Sequence, residues 1–123
     1  MNNREIKFRV WNLVNKEWDN PAILEVWDKS GVFRPMYTPE NYVIQQFTGF
    51  TDKNQKKIYE GDIVKYSVSE YGEIIFKFGG WRVRRRDDSS IDLFGMIYSN
   101  GYPQGYSDYT IIGNIFENPE LCQ

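Results

Sequence analysis

The run WRVRRR, residues 81 to 86, places four arginines within six residues and is the sharpest chemical feature of the chain. Counted at the two-residue period of a strand, Arg82, Arg84 and Arg86 share one face, while Trp81, Val83 and Arg85 share the other. Guanidinium groups spaced roughly 7 Å apart along a strand can follow a phosphate backbone, with Tyr or Trp supplying stacking. Two plainer readings stand beside that one. The arginines could pair with Asp87, Asp88, Glu73 or other acids on a solvated face, or guard an edge strand against unwanted sheet pairing.

The other reactive side chains are few. Histidine is absent, which removes the commonest general base, nucleophile activator and metal ligand together. The single cysteine, Cys122, has no second cysteine to pair with and no local group to lower its pKa. A zinc site needs several Cys or His ligands, so neither a metal nor a cofactor is expected. Carboxylates remain: Glu60 and Asp62 flank Gly61, and Asp87 and Asp88 sit together between two apolar runs. Such pairs do hydrolytic work when one acid is buried and its pKa is raised. At turns, however, Asp more often bonds its own backbone while Gly supplies an unusual φ. KFGGW lacks the spacing of a phosphate-binding loop. In GYPQGYSDY, Tyr102 and Tyr106 lie among glycines, as contact residues or folded back over an apolar edge.

Strands must carry these groups. The chain holds 12 Ile and 8 Val against 4 Leu and one Ala, with 21 aromatic residues, a composition suited to pleated sheets rather than helices. REIKFRVW alternates, with Ile6, Phe8 and Val10 on one face and Glu5, Lys7 and Arg9 on the other, and NLVNKEW turns back to Trp18. AILEVWD (22–28) is a second apolar run, TPEN a possible helical turn, and YVIQQFTG a further strand. TDKNQKK (51–57) has no apolar side chain and reads as a solvated loop. Strands at 62–68, 73–78 and 81–86, turning at Glu70-Tyr71-Gly72 and at Gly79-Gly80, form a meander. IDLFGMIY (91–98) is expected as a strand bent at Gly95, YTIIGNIF (109–116) as the last strand, and residues 117–120 as a turn or helical stub. In 62–68, Ile63 opposes Val64 and Tyr66, so both faces should be buried, by the N-terminal strands or a partner subunit.

At 123 residues the chain is read as one domain, with N-terminal strands over roughly 4–48 and a barrel-like part over roughly 58–116. No apolar stretch reaches the roughly 18 residues of a membrane helix, and MNNREIKFRV lacks the apolar centre of a secretory signal, so a cytoplasmic protein is expected. Formal charge is −2, the opposite of the bulk basicity of an electrostatic nucleic-acid binder.

Three phrases together resemble the YopX family of small phage and prophage proteins: IKFRVWNLVNKEW at the start, FTGFTDKNQKKIYEGDIVKY in the middle and IIGNIFENPEL at the end. They span both ends and the centre, so the resemblance covers the whole chain. It implies a mainly β fold with a small barrel like the Src-homology-3 type, added N-terminal strands, a short C-terminal helical turn, and a home in a bacterial host cell. It implies no activity. Two details depart from the usual pattern: Gln55 stands where a turn glycine is common after DKN, and FRVWN replaces the more frequent FRAWD.

The leading expectation is therefore a non-catalytic interaction module with a protein partner or a second copy of itself, with no small-molecule substrate inferred. The alternative is a nucleic-acid-binding barrel using Arg82, Arg84 and Arg86. A carboxylate enzyme at Glu60 and Asp62 would require an unusually buried acid at that turn.

Overall fold

A computed structural model describes residues 6–20, 40–98 and 109–122. The apolar run 22–28, the Thr38-Pro39 pair, Tyr102 and Tyr106 lie outside the described residues. The first hairpin pairs β1 (Phe8–Asn12) with β2 (Glu17–Asp19). Asn12 builds its turn: Oδ1 accepts from the Val14 and Asn15 N–H groups, each at 2.9 Å, and Nδ2 donates to Asp19 at 3.0 Å. Next come β3 (Tyr42–Thr51) and β4 (Lys57–Tyr59), completing an antiparallel sheet ordered β2-β1-β3-β4. β4 thus joins the N-terminal strands through β3, although it also delivers Ile58 to the barrel core.

The loop between β3 and β4 is not wholly solvated as its composition implies. Asp52 is only 3% exposed. Its Oδ1 accepts from the Asn54 and Lys56 N–H groups at 2.9 Å, and its Oδ2 from Ile111 N–H at 3.0 Å. Gln55 has φ +66°, a left-handed backbone that glycine adopts without strain. Gln55→Gly is therefore expected to raise stability by about 0.5 kcal/mol, the relieved strain exceeding the added chain entropy. Urea denaturation checks it.

A second antiparallel sheet holds β5 (Asp62–Lys65), β6 (Tyr71–Lys77), β7 (Gly80–Arg84), β8 (Ser90–Asp92) and β9 (Thr110–Asn114). Its order is β8-β7-β6-β5-β9: a four-strand meander, β5 to β8, with a fifth strand, β9, returning beside β5, as in Src-homology-3 barrels. A 3-10 turn, Pro119–Cys122, follows, in agreement with the expected helical stub. Residues 91–98 differ from expectation. After β8 they form the helix α1 (Leu93–Tyr98), not a bent strand. Asp92 caps it, its Oδ2 accepting from Gly95 N–H at 3.0 Å, while Leu93 is fully buried.

The barrel core gathers Ile58, Val64, Tyr66, Ile74, Val83 and Leu93, with Phe50, Trp81, Ile91, Tyr109 and Ile111 packed around it. Ile63 is buried on the opposite face, so β5 is covered on both sides as its two-sided apolarity requires. On that side Ile63 lines a cleft together with Leu121 and Cys122.

An aromatic cluster ties the first hairpin to the end of the chain. Trp11 stacks on Phe116 at 5.2 Å and meets Trp18 edge-on at 4.8 Å. Trp18 Nε1 donates to Glu117 Oε1 at 2.9 Å, and Asn114 Nδ2 donates to the same oxygen at 2.6 Å. The Trp18 and Asn114 hydrogen bonds hold the Glu117 carboxyl below its ordinary value of 4.5. Its stabilisation is present above that value and is lost as pH falls through the lower folded-state value. Glu117→Gln keeps the acceptor but cannot titrate, so acid unfolding followed by tryptophan fluorescence should show a shallower loss of stability there than in the wild type.

Candidate functional site: the basic meander and its hairpin tip

Register decides what the arginines of 82–86 can reach. β7 pairs with β6 through Glu73↔Arg84 and Ile75↔Arg82, and with β8 through Arg82↔Asp92 and Arg84↔Ser90. Arg82 and Arg84 therefore lie on one face, as alternation requires. Arg82 is half-buried, its Nε donating to Ser90 Oγ at 2.6 Å and its NH2 to Ser90 O at 3.0 Å. Arg84 forms an ion pair with Glu73. Arg86 lies beyond the strand, its guanidinium 5.4 Å from the Tyr71 ring centre. The face is basic, but its arginines already have intramolecular partners.

Arg85, assigned to the other face by counting, is brought back towards Arg84 and Arg86. β7 ends at Arg84, and a tight loop follows in which Arg85 N–H donates to Ser89 O at 2.7 Å and Asp88 N–H to Arg85 O at 3.0 Å. Asp88 sits at φ +71°. Arg84, Arg85 and Arg86 consequently line one cleft of about 200 Å³.

The hairpin between β6 and β7 carries the most exposed aromatic side chain of the described residues. Its turn is Phe78-Gly79, one residue earlier than Gly79-Gly80, with φ +57° and +77°. Positive φ at both central residues is the type I′ arrangement, which matches strand twist and favours Asn-Gly. Phenylalanine at its first position stands 80% exposed, and Phe76 is 57% exposed. Trp81 meets Phe76 edge-on at 5.0 Å. Two cations lie over the Phe78 ring: Lys77 Nζ at 5.1 Å and Arg82 Cζ at 5.5 Å. Between this hairpin and β3 runs a groove of about 340 Å³, lined by Phe47, Thr48, Gly49, Phe76 and Trp81 among others.

Glu60-Gly61-Asp62 is a structural junction. Gly61 has φ +85°, and a Cβ there would lie 2.1 Å from Gln45 Nε2. Its N–H donates to Ile74 O at 2.9 Å, and its carbonyl accepts from Ile115 N–H at 3.0 Å. Asp62 is buried and its pKa is raised, burial outweighing the attraction of Arg9. It thus meets the burial condition for an acid catalyst, but both oxygens are engaged. Oδ1 takes the Arg9 guanidinium at 2.7 Å, and Oδ2 the Tyr59 N–H at 2.8 Å. Arg9 is itself flanked by the Trp18 and Tyr59 rings, at 4.3 and 4.8 Å. Asp87 is turned onto Ser89, whose hydroxyl and N–H hold its carboxyl below the ordinary value. Among the described residues, no three His, Cys, Asp or Glu side chains group as metal ligands. Cys122 is exposed at the cleft rim, where burial and the nearby Glu73 charge push its thiol pKa up.

The topology and this surface define a small Src-homology-3-type barrel extended by an N-terminal sheet, with a basic meander and an aromatic hairpin tip. The chain belongs to the YopX family: the family model described as YopX protein matches residues 7–123. The fold is also similar to the crystal structure of protein EF1440 from Enterococcus faecalis, at 26% identity and a TM-score of 0.64, covering 98% of this chain and 100% of that one. No curated protein matches the chain.

Proposed function

We propose that this protein is a non-catalytic interaction module of a phage or prophage, acting in the host cytoplasm by docking the β6–β7 hairpin tip onto another protein. The observation that carries the reading is Phe78. A left-handed backbone costs a non-glycine residue about 1–2 kcal/mol, and an exposed ring returns little of it by burial. A bulky residue kept at a strained, exposed turn position points to a role outside folding. Phe76 and Trp81 beside it add the aromatic surface that protein interfaces favour.

Phe78→Asn separates stability from binding. Asn suits the first position of a type I′ turn, so the substitution should raise stability by about 1 kcal/mol while abolishing partner contact. A photocrosslinking residue at position 78 should capture one saturable protein partner, or a second copy of the chain, in host extract. The same residue at exposed Val68 serves as the control. Sedimentation measures self-association directly. A strictly monomeric protein that crosslinks no more at 78 than at 68 would sink the reading.

Lys77 and Arg82 over an exposed ring also resemble a stacking platform for single-stranded nucleic acid, with Arg84 and Arg86 further along. That reading requires oligonucleotide binding that weakens steeply with salt and is lost on replacing Arg82, Arg84 and Arg86 by Ala.

A further inference from the structure

The cleft at the end of β7 lies apart from the hairpin tip, and it joins Arg84 and Arg86 of the basic face to Arg85, which that face does not use. Three guanidinium groups, Arg84, Arg85 and Arg86, line it against two carboxylates, Glu73 and Asp88. Glu73 is committed to Arg84. Arg85 Nε is buried and has no hydrogen-bond partner. That atom is closed to a phosphate oxygen as it is to water, so an anion would be drawn to the cleft by its charge, three arginines against two carboxylates. Tyr71 forms another wall, with Arg86 over its ring. A second cavity of about 220 Å³, lined by Tyr66, Ser69, Glu70 and Asp87, shares Tyr71, Arg85 and Arg86 with the first. The two arginines therefore stand where both spaces meet.

We propose that this cleft binds a small phosphate-bearing molecule, with the phosphate held by Arg85 and Arg86 and shared with Arg84. The volume suits a phosphate with a short organic group rather than a drug-sized ligand, since such pockets run from about 300 Å³ upward. Guanidinium forks match phosphate oxygens in geometry as well as charge. Glu73 competes for Arg84 from the rim, so it weakens binding. This inference does not rest on the hairpin reading, because the cleft and the tip share no lining residue.

Cys122 lines the cleft and is the sole cysteine, so its alkylation by iodoacetamide reports occupancy directly. Inorganic phosphate, phosphoserine and adenosine 5′-monophosphate would each be titrated at constant ionic strength, with calorimetry run in parallel. Saturable protection of Cys122 is the expected result. The three probes distinguish a site for the phosphate alone from one that also reads its carrier. Arg85→Gln should weaken binding tenfold or more, the loss typical of a charged hydrogen bond. Glu73→Gln should tighten it severalfold by removing the competing charge. Lys56→Gln, on an exposed loop outside the cleft, should leave it unchanged. The proposal is overturned if no probe saturates, or if folded Arg85→Gln binds like the wild type. Should Arg85→Gln fail to fold, unchanged or weaker binding in Glu73→Gln overturns it equally.

Discussion

Asp62→Ala is expected to lower the unfolding free energy by about 3–5 kcal/mol, the usual cost of removing one partner from a buried ion pair. Asp62 Oδ1 accepts from Arg9 at 2.7 Å, and the two side chains are 3% and 19% exposed. Removing the carboxylate leaves the Arg9 guanidinium between Trp18 and Tyr59 with only Gln45 Oε1 at 2.9 Å and Glu60 O at 3.2 Å as acceptors. It also deprives Tyr59 N–H of its acceptor. Because Arg9 belongs to β1 and Asp62 to β5, the pair links the two sheets, and the loss should appear as a global fall in urea midpoint. Arg9→Ala should be comparably damaging at neutral pH but less so in acid. Burial already raises the Asp62 pKa above its ordinary 3.8, so its folded form favours the proton. The Asp62 contribution to stability in Arg9→Ala is therefore greatest below that ordinary value and falls as pH rises through the folded-state value. Replacing both partners with apolar residues, Arg9→Met with Asp62→Leu, should cost less than either alanine substitution alone. Equal losses at pH 3 and pH 7 in Arg9→Ala would contradict this account.

The second large effect lies in a loop that composition alone marks as tolerant. Asp52→Ala is expected to cost about 3 kcal/mol or more, since it strips acceptors from three backbone N–H groups at a nearly closed site. Two belong to the β3–β4 loop and one to Ile111 of β9, so the carboxylate joins segments 59 residues apart. The distinguishing measurement is amide exchange. Ile111 N–H should lose protection far more than β6 or β7, and Asp52→Asn, which keeps one acceptor oxygen, should fall between alanine and wild type. A loss under about 1 kcal/mol in Asp52→Ala, with Ile111 still protected, would show that solvent replaces the carboxylate there.

The meander was legible because its signals are local. Alternation in 73–77 and 81–84, two-sided apolarity at 63–66 and glycine-bearing turns all act within a few residues of one another. Phe78 shows the limit of that legibility. Glycines at 79 and 80 mark a turn, but pairing of Lys77 with Gly80 sets its register and places phenylalanine at the tip. Residues 91–98 show another limit, since a short apolar run fits a strand or a helix equally well. Leu93 packing into the core and Asp92 capping Gly95 choose the helix.

Charged residues were harder to place. Arg9 shares its side of the first strand with Lys7, and local alternation assigns that side to solvent. It is half-buried because Tyr59 and Asp62, some fifty residues away, are folded over it. Asp52 carries the same lesson in a loop. Counting at period two separated Arg85 from its neighbours, but the strand stops at Arg84 and the following loop turns all three into one cleft. Read alone, the chain determined its β character, its central meander and its family resemblance, because each is written in side-chain type and short-range spacing. Tertiary structure alone decided which carboxylates are buried, which arginines converge and which ring stands exposed. Alternation states the side of a strand on which a residue lies; only the packing of distant segments states what covers that side.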